Sequence, residues 1–261
     1  MLYSRGGKIV QRENSFLQYV NNSLSFKVDG TTFPNPSLID FRTGVAFESD
    51  TPNSISINYG DGTVVIENFI LQSGKYKINI SYSETSESPG IIPRHTYTDG
   101  NSGNRIVTIS FLDLKNIVTI SVNSTKIKDR IPPEINQIKK LESLNLIRTN
   151  DITDFNLQLP FNVKAVNFVN IGLVSFTKIP DSIISSKLIY ISFTNLYYIQ
   201  NKINSNFFKI NQLSENLTSF KISNTKVLPE EITDSQKLTY LAVAGEMPEF
   251  YPFINDLINL N

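Results

Sequence analysis

Apolar residues recur in a nine-residue pattern through the second half of the chain. Six segments have apolar residues at their first, fourth and sixth positions, namely 117–125, 141–149, 163–171, 188–196, 217–225 and 238–246. Their starts, at residues 117, 141, 163, 188, 217 and 238, are therefore 24, 22, 25, 29 and 21 residues apart. This pattern predicts a stack of similar units, because one unit alone cannot bury its apolar side chains.

A second motif lies between the repeated segments. An apolar residue followed by Pro-x-x-Ile occurs at 131–135, 179–183 and 228–232, with a proline eight or nine residues before the next repeat. Proline at this point favours a turn or the start of a helix. Together the two motifs resemble leucine-rich repeats, in which the proline segment lies on the convex side. The asparagine usual at the ninth position is absent from all six repeats, so we expect less regular coils than in a consensus array. The residues at that position are Thr125, Thr149, Ile171, Leu196, Thr225 and Glu246.

The first half has a different periodicity. Short alternating segments separated by turn residues predict an all-β domain between residues 24 and 115. The predicted strands are 24–28, 45–49, 54–59, 64–66, 75–82 and 105–111. Six short strands with turns between them suggest a β-sandwich.

Three elements of this region recur in a known order. Tyr-Gly-Asp-Gly-Thr at 59–63 is a tight turn, His-Thr-Tyr follows at 95–97, and an alternating strand ends at Phe111. This order resembles the Ig-like domain of the polycystic-kidney-disease (PKD) type. The resemblance implies a spacer or adhesion module of extracellular proteins, without catalytic residues. Unlike the family pattern, the stretch from Asp61 to His95 is long and holds an extra predicted strand at 75–82.

The predicted fold is therefore mainly β: an Ig-like (PKD-type) sandwich at 24–115, followed at 116–261 by a leucine-rich-repeat solenoid of about six repeats with short irregular or helical convex segments. Residues 1–23 form an N-terminal arm, either disordered or anchored to a neighbouring subunit through Phe16, Leu17, Tyr19 and Val20. The apolar segment 247–261 either folds over the end of the solenoid, meets a partner, or leads into further chain.

The repeat surface is the candidate binding site. Third, fifth and seventh residues of each repeat face outward on the concave side, since side chains alternate along a strand. These residues are mostly small and neutral, with one lysine and no carboxylate. The candidate contact residues are Tyr190, Tyr240, Asn145, Asn167 and Lys221. An alternative is that the tyrosines only cover neighbouring strands.

Composition removes several classes of chemistry. Cysteine is absent, so disulfides and thiolate sites are excluded, and the zero net charge gives no general attraction to nucleic acid. The one histidine, His95, lies in the sandwich motif and cannot alone form a catalytic or multi-histidine metal site. Glu48, Asp50 and Asp61 are candidate calcium ligands, but their spacing matches no calcium-binding loop motif. We therefore expect no enzyme activity, no cofactor and no metal.

Both resemblances point to surfaces outside cells, yet the first residues hold no apolar run like a signal peptide, and no stretch is long enough to span a membrane. A bacteriophage virion component reconciles these observations, since virions leave by lysis. It would contact other virion proteins through the arm and the C-terminal end, and a protein or glycan through the repeat face. Homo-oligomerisation is left open. The alternatives are a fragment of a bacterial surface adhesin and an intracellular leucine-rich-repeat effector.

Overall fold

The computed structural model describes residues 22–29, 44–80, 89–93, 95, 97, 103–123, 128–147, 151–154, 159–169, 187–194, 216–223 and 236–244. These residues form a mainly β structure. Several predicted features lie outside the described residues. They are the arm up to residue 21, the segment 247–261, the ninth repeat positions, and the proline segments at 179–183 and 228–232.

Sixteen strands lie within the described residues. In chain order they are β1 (Ser23–Asp29), β2 (Gly44–Ser49), β3 (Ser54–Asn58), β4 (Val64–Asn68), β5 (Ile70–Gln72), β6 (Lys75–Ile80), β7 (Ile91–Ile92), β8 (Asn104–Phe111), β9 (Ile117–Asn123), β10 (Lys128–Arg130), β11 (Ser143–Ile147), β12 (Asp151–Asp154), β13 (Ala165–Val169), β14 (Tyr190–Thr194), β15 (Ser219–Ser223) and β16 (Tyr240–Ala244). Two 3₁₀ turns accompany them, at Leu114–Asn116 and Pro133–Gln137. The second confirms the turn predicted for the proline segment at 131–135.

A four-stranded antiparallel sheet has the order β1-β8-β3-β4. It contains four of the six strands predicted in the first half of the chain. The other two are β2 and β6, which pair with each other in the second sheet. The predicted extra strand is therefore confirmed as β6, whereas the short strands β5 and β7 beside it were not predicted.

The larger sheet has the order β16-β15-β14-β13-β11-β9-β2-β6-β5, with β7 also paired to β6. The six repeat strands, β9 to β16 without β10 and β12, are parallel and adjacent. Strand β9 is also antiparallel to β2. Hydrogen bonding therefore runs without a break across the predicted boundary at residue 115. The unpredicted strands β10 and β12 form a separate parallel pair.

Apolar side chains inside both sheets form one contiguous cluster. At the first, fourth and sixth repeat positions these side chains are at most 3% exposed from β9 to β15, which confirms the predicted core positions. In β16 the fourth and sixth residues, Leu241 and Val243, are only partly buried. The rings of Phe47 and Phe111 meet edge to face, with centroids 4.9 Å apart, and so join the two sheets.

Buried polar side chains hold the segment before the first repeat. The Asn53 amide nitrogen donates to the Asp113 carbonyl at 2.8 Å, and its oxygen accepts from the Asp113 backbone N–H at 3.0 Å. The Ser49 hydroxyl donates to the Asn116 carbonyl at 3.1 Å. Each of these bonds replaces one that water would otherwise supply, so the buried groups are satisfied.

The repeat core should be sensitive to truncation. Leu144 is fully buried and lies between Ile120 and Val166 in the parallel register. We expect Leu144→Ala to lower the free energy of unfolding by about 2–5 kcal/mol, because it removes buried methyl groups and leaves a cavity. The matched control Ser143→Ala, on the outward face of the same strand, should change it by less than about 0.5 kcal/mol. Urea denaturation measures both, and equal losses would contradict the assigned faces.

Candidate functional site: the outward face of the large sheet

Side chains of the repeat strands that alternate with the core residues align in three columns, and three of them, Asn123, Ser192 and Ser223, are buried. We call this surface the repeat face, defined by the third, fifth and seventh repeat positions. In register, the third positions are Thr119, Ser143, Ala165, Tyr190, Ser219 and Tyr240; the fifth are Ser121, Asn145, Asn167, Ser192, Lys221 and Ala242. The seventh are Asn123, Ile147, Val169, Thr194, Ser223 and Ala244. This confirms the predicted alignment of the columns.

All five predicted contact residues lie on this face. Asn145 and Asn167 are directly opposite each other on neighbouring strands. Tyr190 and Tyr240 flank Ser219, so about 9.6 Å, two strand spacings, separates their backbones. Tyr240 is 55% exposed, whereas Tyr190 is half-buried. The geometry brings these residues together, and their role in binding stays a prediction.

The face continues beyond the repeats onto strands β2 and β6 of the first half of the chain. Glu48 lies opposite Thr119 and Lys77, and Ala46 lies opposite Ser121 and Asn79. The Thr119 hydroxyl donates to Glu48 Oε2 at 3.1 Å, and Lys77 Nζ lies 2.6 Å from Glu48 Oε1. We call the repeat face together with the outward residues of β2, β5, β6 and β7 the extended face. The repeat face itself holds no carboxylate, in agreement with the sequence, and β2 adds Glu48 at the border of that face.

A polar ladder that was not predicted runs along one edge of the repeats. The residue preceding each repeat alternates between asparagine and lysine: Asn116, Lys140, Asn162, Lys187, Asn216 and Lys237. Lys187 Nζ donates to Asn162 Oδ1 at 2.7 Å, and Lys237 Nζ donates to Asn216 Oδ1 at 2.9 Å. The alternation is visible in the sequence, at the residue immediately before the first position of each repeat. The two bonds each link one repeat to the next.

The turn motif at 59–63 forms a compact internal cluster with His95 and Tyr97. His95 Nε2 lies 2.6 Å from Asp61 Oδ2, and the His95 ring stacks on Tyr59 with centroids 4.1 Å apart. The Tyr97 hydroxyl donates to the Tyr59 carbonyl at 2.8 Å. Gly60 has a φ of +81°, and a Cβ there would lie 2.7 Å from the Ile106 carbonyl oxygen. Both the backbone conformation and the lack of space therefore require glycine at this position. The cluster supports a structural role for His95.

Hydrogen bonds control the ionisation of Asp61 within this cluster. Burial opposes its charged form, but hydrogen bonds from the Thr63 backbone N–H and from His95 lower the pKa of its carboxyl below the ordinary value of 3.8. The side chain is only 8% exposed. Burial, followed by the nearby Asp61 carboxylate, raises the pKa of the Tyr59 hydroxyl.

The three carboxylates considered for calcium have separate partners. Glu48 pairs with Lys77, Asp50 with Lys75, and Asp61 with His95. Among the described residues, no group of three or more histidine, aspartate or glutamate side chains is arranged to hold a metal ion. Within the same part of the chain, no helix has the length and apolar character needed to cross a membrane.

Comparison with protein-family models, with curated proteins and with solved structures gives no match for this chain.

The Asp61 contacts predict a pH dependence of stability. Because the pKa of Asp61 is lower in the folded state, its ionised form stabilises the fold fully above its ordinary pKa, and this contribution is lost as pH falls through the folded-state value. Asp61→Asn should therefore lower the melting temperature at about pH 5, and the difference from wild type should shrink towards about pH 2. Thermal unfolding at several pH values measures this.

A matched variant separates this effect from general acid denaturation. Glu67 is an exposed carboxylate on the edge strand β4. Glu67→Gln should follow wild type at every pH. A melting-temperature difference for Asp61→Asn that stays constant with pH would contradict the role assigned to the Asp61 carboxylate.

Proposed function

We propose that this protein is a non-enzymatic recognition and structural module, built from a PKD-type Ig-like sandwich and a leucine-rich-repeat solenoid, and that it is a component of a bacteriophage virion: a fibre, spike or decoration. The observation that carries the proposal is the in-register parallel ladder of six repeat strands with one polar outward face. Such ladders display side chains at regular spacing on a rigid support, which suits recognition.

Local features support each of the two fold assignments. The 3₁₀ turn at Pro133–Gln137 lies where leucine-rich repeats place a convex segment, and it precedes a repeat strand with a buried core face. Asp61 and His95 are far apart in sequence yet in direct contact. This contact supports the PKD-type assignment, because it joins the turn motif at 59–63 to the His-Thr-Tyr motif at 95–97. The large sheet continues through β9 from the first half of the chain into the repeats, so the two halves share a sheet and are not joined only by a linker.

The chemistry of the extended face favours contact over catalysis. Amides and hydroxyls dominate it, and these groups donate and accept hydrogen bonds without titrating near neutral pH. Its Glu48 carboxylate is engaged by Lys77 and Thr119. The two tyrosines add flat ring surfaces with polar tips. A protein surface or a glycan could use all of these groups.

The virion assignment rests on where such modules work. Both resembling families belong on surfaces outside cells, and phage fibres and spikes use such modules. In this proposal the N-terminal arm and the C-terminal end contact neighbouring virion proteins, while the repeat face points outward.

Gold-labelled antibody raised against the protein tests this assignment by electron microscopy of phage particles and host cells. We expect label on particles, at head, collar or tail. Label on the bacterial envelope alone would replace the virion assignment with that of a surface adhesin, and label confined to cytosol would overturn both.

The tyrosine pair should carry much of the contact energy. We expect Tyr190→Ala combined with Tyr240→Ala to lower co-sedimentation with intact host cells by about tenfold or more, because aromatic anchors dominate many interfaces. The control is Phe161→Ala, which removes a 62% exposed ring from the repeat edge, outside the repeat face. Equal loss in both variants, or no loss in the double variant, would contradict the assigned surface.

A further inference from the structure

A cavity of about 220 Å³ opens on the sandwich end of the extended face. Its outward lining comprises Ala46, Glu48, Gln72, Lys77, Asn79 and Ile91. Pockets that enclose drug-sized ligands measure roughly 300–1,000 Å³, so this cavity suits one smaller group. It borders Thr119, the first residue of the repeat face, through the Glu48 carboxylate.

The cavity exists because two short strands share one edge of β6. Strand β5 pairs with the first half of β6, placing Ile70 opposite Lys77, and β7 pairs with the second half, placing Ile91 opposite Asn79. They meet at Gly90, which has a φ of +75° and where a Cβ would lie 2.9 Å from Ile70 Cγ1. Glycine therefore lets the strands come together, and the Asn79 backbone N–H bonds the Gly90 carbonyl at 2.8 Å.

Polar groups at the cavity are held in position before any ligand arrives. Glu48 accepts a hydrogen bond from Thr119 on one oxygen and forms an ion pair with Lys77 through the other, so both oxygens have a defined partner. Both Glu48 and Lys77 retain solvent exposure, at 28% and 36% of their side chains. A carboxylate beside an ammonium presents an acceptor and a donor together, which matches a hydroxyl group, itself both donor and acceptor.

Asn79 has a hydrogen-bonding requirement that the protein does not meet. Its Oδ1 is buried and accepts no hydrogen bond. A buried acceptor without a donor destabilises the fold, because it has given up its hydrogen bonds to water. Asn79 also lines the cavity, and rotation about its amide torsion is required to bring Oδ1 within reach of an N–H donor there. The apolar side chains of Ala46 and Ile91 lie beside it.

We propose that this cavity binds an N-acetylated hexosamine unit of a glycan. The acetamido N–H donates to Asn79 Oδ1, the acetyl methyl contacts Ala46 and Ile91, and ring hydroxyls bond Glu48, Lys77 and Gln72. This inference rests on the proposed function and specifies its ligand. A peptide also offers amide N–H groups, but a cavity of about 220 Å³ is too small for a large apolar anchor, and the paired Glu48 and Lys77 side chains match ring hydroxyls.

Saturation-transfer NMR on the full chain tests the site with N-acetylglucosamine and N-acetylgalactosamine as probes. Glucose and galactose are matched controls without the acetamido group, and N-methylacetamide represents a bare amide. We expect binding of at least one N-acetylated sugar, weaker binding of its parent sugar by about tenfold, and transfer strongest at the acetyl methyl.

Two variants assign the signal to the cavity. Ala46→Leu fills the floor and should abolish the transfer, while Ala165→Leu, the same change on the repeat face, should leave it intact. Asn79→Leu should reduce the difference between acetylated and parent sugars, and thermal melts check that each variant folds.

Several outcomes would overturn the inference: no transfer from either N-acetylated sugar, equal transfer from their parents, retention of binding in Ala46→Leu, or binding of N-methylacetamide and peptides in place of sugars. These outcomes are independent of immunogold location and of the tyrosine variants. If only the cavity tests fail, the proposed function still stands. If the tyrosine and location tests fail, the proposed role of the cavity fails with them, and only the measured sugar binding remains.

Discussion

Strand β9 is hydrogen-bonded along one edge to antiparallel β2 and along the other to parallel β11. Its register aligns Ile120 with Phe47 on the sandwich side and with Leu144 on the repeat side, and all three side chains are fully buried. A slip of one residue would exchange its inward and outward side chains. Such a slip would expose apolar groups in both halves at once, so the register of β9 constrains the sandwich and the repeats together.

The continuity of the extended face follows from that register. Thr119 and Ser121 point outward because Ile120 and Val122 point inward, and they therefore meet Glu48 and Ala46 of β2. The bonds from Asn53 to Asp113 and from Ser49 to Asn116 hold the chain immediately before β9. Polar contacts in the sandwich turns thus position the first repeat strand, and each later repeat adds to it with the same alternation.

Periodicity made the repeat strands predictable, since each needs three inward apolar residues at fixed spacing. The register and the shared face of Tyr190, Tyr240, Asn145, Asn167 and Lys221 followed from the same spacing. The cavity did not, because it depends on β5 and β7, of three and two residues, which carry too little pattern to detect. The pairing of β9 with β2 was equally hidden, since long-range partners leave no local signal. The asparagine–lysine alternation was also present in the sequence. It was not predicted, because it lies one residue before the nine positions by which the repeat was defined.

A rigid face of amides, hydroxyls and isolated rings gives many small contacts and few large ones. The Lys187–Asn162 and Lys237–Asn216 bonds link neighbouring repeats along the exposed edge of the strands. For the proposed sugar site we expect weak binding, because few atoms make contact. Weak sites become effective when many copies act together on a repeating polymer, and avidity can then exceed single-site affinity by about 10²–10⁴. Virion fibres and decorations are displayed in multiple copies, so the proposed virion location would supply the avidity that the proposed sugar site needs.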